Sequence, residues 1–233
     1  MTFEFADDAA VAIRLVGEEN EPVVVIDGVL QDPIALADEA CELRFAPIGP
    51  YYPGVRAPVS ADCAASALVA LTSILRDQLG VTAPNWSIEG YFSIVTTPPD
   101  RLAPIQRFPH YDGVENQRFA ALLFLCDAKF GGTAFYRHVS TGFETVNAGR
   151  FPRFKQALEE DVRKGGLPSA AYIGDGAPYF ERIAEFEAAP NRMLIYRGKA
   201  LHCSAIRAPE QLSSDPRTGR LTVNFFLSPR NSP

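Results

Sequence analysis

The chain holds 233 residues, of which 47% are hydrophobic and 21% charged, with a formal net charge of −6 at pH 7. This balance excludes wholesale disorder, and no apolar run approaches the roughly 20 residues that a membrane-spanning helix needs. An acidic surface repels phosphates, so no nucleic-acid partner and no membrane partner are expected.

Glu4, Asp7 and Asp8 stand where a signal peptide would carry basic residues, so export is not expected and a cytoplasmic protein is. Residues 22–26 are an apolar, β-branched run closed by Asp27 and Gly28, the pattern of a strand. Asp32 followed by Pro33 supplies an N-cap and a first-turn proline for a helix over 34–43. Residues 46–58 hold four prolines and two glycines and read as a loop. Ser60 caps a second helix that runs to about residue 79 and stops at Gly80.

From about residue 85 the texture turns to strands. Residues 86–95 alternate as a strand, and 118–126 are apolar on both faces, as in a buried central strand. Gly131 and Gly132 turn the chain into a strand over 133–139. Residues 154–164 and 179–187 read as helices on either side of Gly165 and Gly166, and strands return at 192–196 and 221–227. The expected architecture is one domain over 1–233. A strand and supporting helices fill 1–84, and a mainly antiparallel β core fills 85–229, with a helical insertion at about 143–191. Short strands punctuated by Pro and Gly suit a sandwich or barrel better than βαβ units.

None of Cys41, Cys63, Cys126 and Cys203 forms a close pair, so no zinc knuckle is indicated and reduced thiols are expected. Cys203 follows His202, but neighbours in a strand point to opposite faces, so the two do not make a thiol–imidazole pair.

His110 and Asp112 sit at i and i+2, on one face of an extended segment, and His202 follows the strand 192–196 across a short turn. Two imidazoles and a carboxylate on a rigid scaffold fill one face of an octahedral metal and leave three positions open. A lone His-x-Asp also arises by chance in a surface turn. Here Phe108-Pro-His-Tyr-Asp112 is followed by Phe130-Gly-Gly-Thr-Ala-Phe135, by His202 and by Gly219-Arg-Leu-Thr-Val-Asn-Phe-Phe226. In that order these motifs resemble the Fe(II)/2-oxoglutarate-dependent oxygenase superfamily, particularly its prolyl-hydroxylase-like branch. Residues 23–33 are similar to the opening strand and helix of that branch.

The resemblance implies a double-stranded β-helix core (jelly roll, cupin-like), with iron held by His110, Asp112 and His202. It also implies 2-oxoglutarate as co-substrate and hydroxylation of an amino acid, a peptide or a small metabolite. The interval from Asp112 to His202 is longer than the family pattern, and residues 143–191 account for the excess. The interval from His202 to Arg220 is long as well, which leaves Arg207 as a rival cation.

The far carboxylate of 2-oxoglutarate needs a fixed positive charge in a dry pocket. Arg220 opens an apolar strand with Thr222 on the same face, and is expected to meet that need. Arg137 and Arg197 are further candidates, and Tyr136, Tyr91 and Tyr111 are candidate hydroxyl donors. His138 reads either as pocket lining or as an ordinary surface histidine. Residues 46–58, with Tyr51, Tyr52 and Arg56, are expected to cover the mouth of the site together with the insertion. Two other classes fit the same residues: a cupin-like metalloprotein without a keto acid, and a non-catalytic ligand-binding β-domain.

Overall fold

The computed structural model describes residues 2–174 and 178–230. Helix α1 (Pro33–Cys41) starts where the Asp32 carboxylate accepts from the Ala35 amide at 2.9 Å. Helix α2 (Ala61–Leu79) starts where the Ser60 hydroxyl accepts from the Cys63 amide at 3.3 Å, and ends at Gly80 in the left-handed region. Cys63, Ala67, Leu71 and Leu75 recur at every fourth position of α2, and all are buried.

Those side chains cover one face of a seven-stranded antiparallel sheet. Its strands are β1 (Ala10–Val16), β2 (Glu21–Asp27), β3 (Gly54–Pro58), β4 (Trp86–Val95), β5 (Phe119–Phe124), β8 (Arg192–Arg197) and β10 (Leu221–Pro229). Their order across the sheet is β1-β2-β8-β5-β10-β4-β3. A second sheet joins β6 (Thr133–His138), β7 (Phe180–Phe186) and β9 (His202–Ser204) in the order β7-β6-β9.

Period-two alternation divides the large sheet between two cores. Phe92, Leu123, Ile195, Val223 and Phe225 pack beneath α1 and α2. Leu122, Phe124, Leu194 and Tyr196 point the other way and meet Phe135 of the small sheet. Each such side chain contributes roughly 1.5–3 kcal/mol by leaving water. Helix α3 (Phe151–Gly165) closes a third cluster, in which Phe154 packs with Tyr136, Phe180 and Leu201. The result is a double-stranded β-helix with helices added. Strand β5 is buried at every position, as its unbroken apolar run requires.

Three expectations are corrected. Residues 54–58 are strand β3 rather than loop: they pair with β4 at the sheet edge, where Pro58 removes no ladder bond that the core needs. Residues 180–186 are strand β7 rather than helix, because the edge of β6 supplies backbone partners. The N-terminal third is not chiefly helical, since β1, β2 and β3 all come from it. The expected insertion contains both α3 and β7, and its residues 175–177 lie outside the described residues. Among the described residues, no helix is long and apolar enough to cross a membrane.

Candidate metal centre

Residues 110–112 lie antiparallel against the approach to β9. The His110 amide donates to the His202 carbonyl at 2.9 Å, the His202 amide donates back at 2.9 Å, and the Asp112 amide donates to Gly198 O at 2.6 Å. Directly opposed residues in an antiparallel pair send their side chains to one face, and the two imidazole centroids are 4.4 Å apart. One ligand atom from each of His110, Asp112 and His202 lies within 4.8 Å of the others.

The carboxylate stands between the rings without bonding to either. Asp112 Oδ1 is 3.7 Å from His110 Nε2, and Asp112 Oδ2 is 3.6 Å from His202 Nε2, both beyond hydrogen-bond reach. Asp112 Oδ2 is buried with no hydrogen-bond partner. His202 Nδ1 faces the Ala200 carbonyl at 2.8 Å, and a carbonyl only accepts, so Nδ1 donates there and Nε2 is the nitrogen turned to the carboxylate.

His110 is held in its neutral form. Burial, then the neighbouring His202, push its pKa down to about 4, against the opposing pull of Asp112. Its ring still shows 53% of its surface, because it opens onto a cavity while protein surrounds it more widely. Two imidazole nitrogens and one orphaned carboxylate oxygen are a donor set that fits a divalent iron with positions to spare.

The cavity is about 1000 Å³ and lies between the two sheets. His110, Asp112, His202, Arg220 and Thr222 all line it. Arg220 is 1% exposed, donates from Nη2 to the Gly132 carbonyl at 2.7 Å, and has a buried Nε without a partner. Among the described residues no carboxylate lies within 4 Å of it. The turn that presents Gly132 tolerates no side chain: Gly131 has φ +81°, and a Cβ there would sit 1.6 Å from Ala205 O.

Thr222 is buried beside Arg220, but its hydroxyl donates to Asn224 Oδ1 at 2.8 Å, so meeting a carboxylate requires it to turn. The other candidate cations are engaged elsewhere. Arg207 is 48% exposed and bonded to Glu185 and Glu187, Arg137 is bonded to Glu144, and Arg197 to Glu21.

Tyr136 is a correction. Strand alternation places it with Ala134 in the third cluster, away from the cavity, where its hydroxyl donates to Gly174 O at 3.0 Å. His138 is neither pocket lining nor surface. It is fully buried between Phe154 and Phe180, 2.9 Å from Thr141 Oγ1 and 3.1 Å from Asp161 Oδ2. Tyr91, Tyr111, Tyr51 and Tyr52 do line the cavity. All four cysteines are free thiols, and burial pushes Cys203 up to about 12.

Sequence reasoning missed Thr133, Tyr196 and Asn224 on the cavity wall, and took Arg56 only for part of its cover. Asn224 had a signal, because it continues the Arg220–Thr222 alternation. Arg56 had none, sitting in a proline-rich stretch without periodicity.

Residues 7–227 match a family described as "Family of unknown function (DUF6445)". No curated protein sequence matches the chain. Among solved structures, HygX from Streptomyces hygroscopicus, crystallised with nickel, 2-oxoglutarate and hygromycin B, superimposes with a TM-score of 0.52 at 14% identity. That match covers 91% of this chain and 83% of HygX. SnoN, a non-heme alpha ketoglutarate dependent epimerase from nogalamycin biosynthesis, gives a TM-score of 0.51 at 10% identity, covering 91% of this chain and 79% of its own. At these identities the likeness is one of fold.

Proposed function

We propose that this chain, which belongs to the DUF6445 family, is a non-haem Fe(II)- and 2-oxoglutarate-dependent oxygenase of the prolyl-hydroxylase-like branch. In this reading it hydroxylates an amino acid, a peptide or a small metabolite in the cytoplasm. His110, Asp112 and His202 hold the iron, and Arg220, with Thr222 beside it, holds the far carboxylate of 2-oxoglutarate. One observation carries the reading. Three metal-competent donors, one of them an orphaned buried carboxylate oxygen, share a cavity with a buried guanidinium that has no counter-ion among the described residues.

That unpaired cation separates the reading from its rivals. A metal centre alone does not call for a desolvated positive charge in the same cavity, and a binding domain for an anion does not call for the three metal-competent donors beside it. HygX, of the same fold, binds 2-oxoglutarate, and SnoN depends on it.

With iron and 2-oxoglutarate bound, such a centre couples O2 and the oxidative decarboxylation of the keto acid to the oxidation of a substrate C–H bond. The chain's own work is placement. The Ala200 carbonyl fixes the His202 ring, Gly198 fixes the Asp112 backbone, and the depressed pKa of His110 keeps its nitrogen free of a proton at neutral pH. Arg220 lies over the Phe124 ring and is almost wholly withdrawn from solvent, where an ion pair gains strength.

The test is aerobic incubation with Fe(II), 2-oxoglutarate and a panel of amino acids, peptides and metabolites, read as succinate. Succinate release that requires 2-oxoglutarate and is abolished by Asp112→Ala is expected. No turnover with any member, together with no binding of 2-oxoglutarate, refutes the reading.

A further inference from the structure

The cavity wall holds a half-buried guanidinium besides Arg220, that of Arg56. Arg56 is fixed by its backbone on both sides: it pairs with Ser93 of β4, and exchanges amide–carbonyl bonds of 2.8 and 2.9 Å with Ala46. Its guanidinium stacks 4.1 Å from the centroid of the Tyr52 ring, with Tyr91 at 5.6 Å and Phe226 at 5.9 Å. The Tyr52 turn is itself tied down, since the Gln106 amide donates to the carbonyls of Pro50 and Tyr52. Arg56 Nε is buried without a partner, and among the described residues no carboxylate lies within 4 Å of the group.

The backbone of Arg56 lies on the Ser93–Thr222–Phe124 rung, close to Arg220, but the two guanidinium groups turn to different places. Arg220 precedes Thr222, which pairs with Phe124 at one end of β5, and its guanidinium lies over the Phe124 ring. Arg56 leans over Tyr91 and Phe226, and Phe226 pairs with Ala120 near the other end of β5. Ala120 also pairs with Tyr196, whose ring is 4.7 Å from that of His202. From that rung the Arg56 side chain therefore reaches back toward the candidate metal, beside the path from metal to Arg220, while Arg220 turns over Phe124 at its end. Arg118, a further cation on the wall, also has a buried Nε without a partner, but its stem packs against the Asp112–Gly198 turn, away from the aromatic wall of Tyr52, Tyr91 and Phe226.

A stacked guanidinium keeps its N–H edge free and presents the fork that a carboxylate fits. The cavity, at about 1000 Å³, has room well beyond a five-carbon diacid, and the wall around Arg56 is aromatic. We infer that Arg56 is the anion seat for the substrate, which is an organic carboxylate with an apolar or aromatic body lying against Tyr52, Tyr91 and Phe226. This rests on the oxygenase reading, in which Arg220 is already taken by 2-oxoglutarate.

The experiment is calorimetric titration of the Mn(II)-loaded protein with 3-phenylpropionate and octanoate, each beside its primary amide, and separately with 2-oxoglutarate. Wild type should bind at least one acid about tenfold or more tighter than its amide, the scale of a charge-assisted pair. Arg56→Met should erase that preference, Arg56→Lys should keep most of it, and Arg220→Met should leave it in place. For 2-oxoglutarate the order reverses, with Arg220→Met losing binding and Arg56→Met retaining it. The Lys variant shows that a loss in the Met variant is one of charge and not of folding.

The inference is overturned if wild type prefers neither acid, if Arg56→Met keeps the preference, or if Arg56→Met loses 2-oxoglutarate while Arg220→Met keeps it. If wild type binds no 2-oxoglutarate yet shows an Arg56-dependent preference for the acid, the oxygenase reading falls and the anion seat stands.

Discussion

Replacing Arg220 with methionine removes the charge that lies over Phe124 while keeping much of the aliphatic stem. The wild-type guanidinium is 1% exposed and spends only one donor on the protein, the 2.7 Å bond to Gly132 O. Its remaining donors are free for a carboxylate, in a setting with little water to screen the pair. Breaking a desolvated, hydrogen-bonded charge pair costs about 2–5 kcal/mol. At about 1.4 kcal/mol per decade, 2-oxoglutarate should bind roughly thirty-fold to a few thousand-fold more weakly. Stability of the unliganded protein should move differently. The lost bond to Gly132 costs about 1–3 kcal/mol, and relief of an unpaired buried charge offsets several kcal/mol. The melting temperature of Arg220→Met is therefore expected to be no lower than that of wild type. Calorimetry with Mn(II)-loaded protein reads the affinity, and scanning fluorimetry reads the stability. Arg207→Met is the control, since Arg207 faces Glu185 and Glu187 outside the cavity. Binding of 2-oxoglutarate by Arg220→Met within about threefold of wild type would refute the argument.

Asp112→Asn should leave the metal-free protein as stable as wild type or more so, because Asp112 Oδ2 has no hydrogen-bond partner to lose. The rise in melting temperature on adding Mn(II) or Ni(II) should disappear, and an undiminished rise would show that the ion binds elsewhere. For His110 the folded-state pKa of about 4 lies below the model-compound 6.5, so between those values the unfolded chain binds more protons. Metal-free protein should lose stability as pH falls from 6.5 towards about 4, and His110→Gln should flatten that limb in denaturant melts at several pH values. Burial pushes Cys63 up to about 11 and Cys203 up to about 12, so native protein at pH 8 should react with iodoacetamide first at the partly exposed Cys41. Equal labelling of Cys203, read by peptide mass mapping, would contradict its placement.

Elements with chemical punctuation were legible in the sequence. Ser60 and Gly80 bound α2, and the apolar alternation of residues 86–95 matches β4. What escaped was structure set by partners distant in the chain. Residues 180–186 carry Glu181, Arg182, Ala184 and Glu185, good helix formers, with Phe180, Ile183 and Ala184 at helical spacing. Pairing with β6 overrides that preference. Gly54–Pro58 has no strand propensity of its own and is held between β4 and the Ala46 bridge. The site was half legible for the same reason. The i, i+2 spacing of His110 and Asp112 is local, and so is the Arg220–Thr222 alternation. Which face of β6 meets the cavity is not, and Tyr136 was assigned to the wrong one. The commitment of Thr222 to Asn224 could be read only from coordinates, since either hydroxyl rotamer suits the sequence.

Strand β10, the last in chain order, is inserted between β4 and β5 in the interior of the large sheet. Until it has left the ribosomal tunnel, its two neighbours stand apart with open edges, and neither Arg220 nor the wall behind it exists. The waiting edges include Phe92, Ile94, Phe119 and Leu123, side chains that are fully buried in the finished protein. The large sheet therefore cannot close before β10 is made, and until then the backbone edges of β4 and β5 that face each other are unpaired. A meander of the same length would pair each strand with the one before it as it emerged, whereas here the central rungs wait for a strand far along the chain.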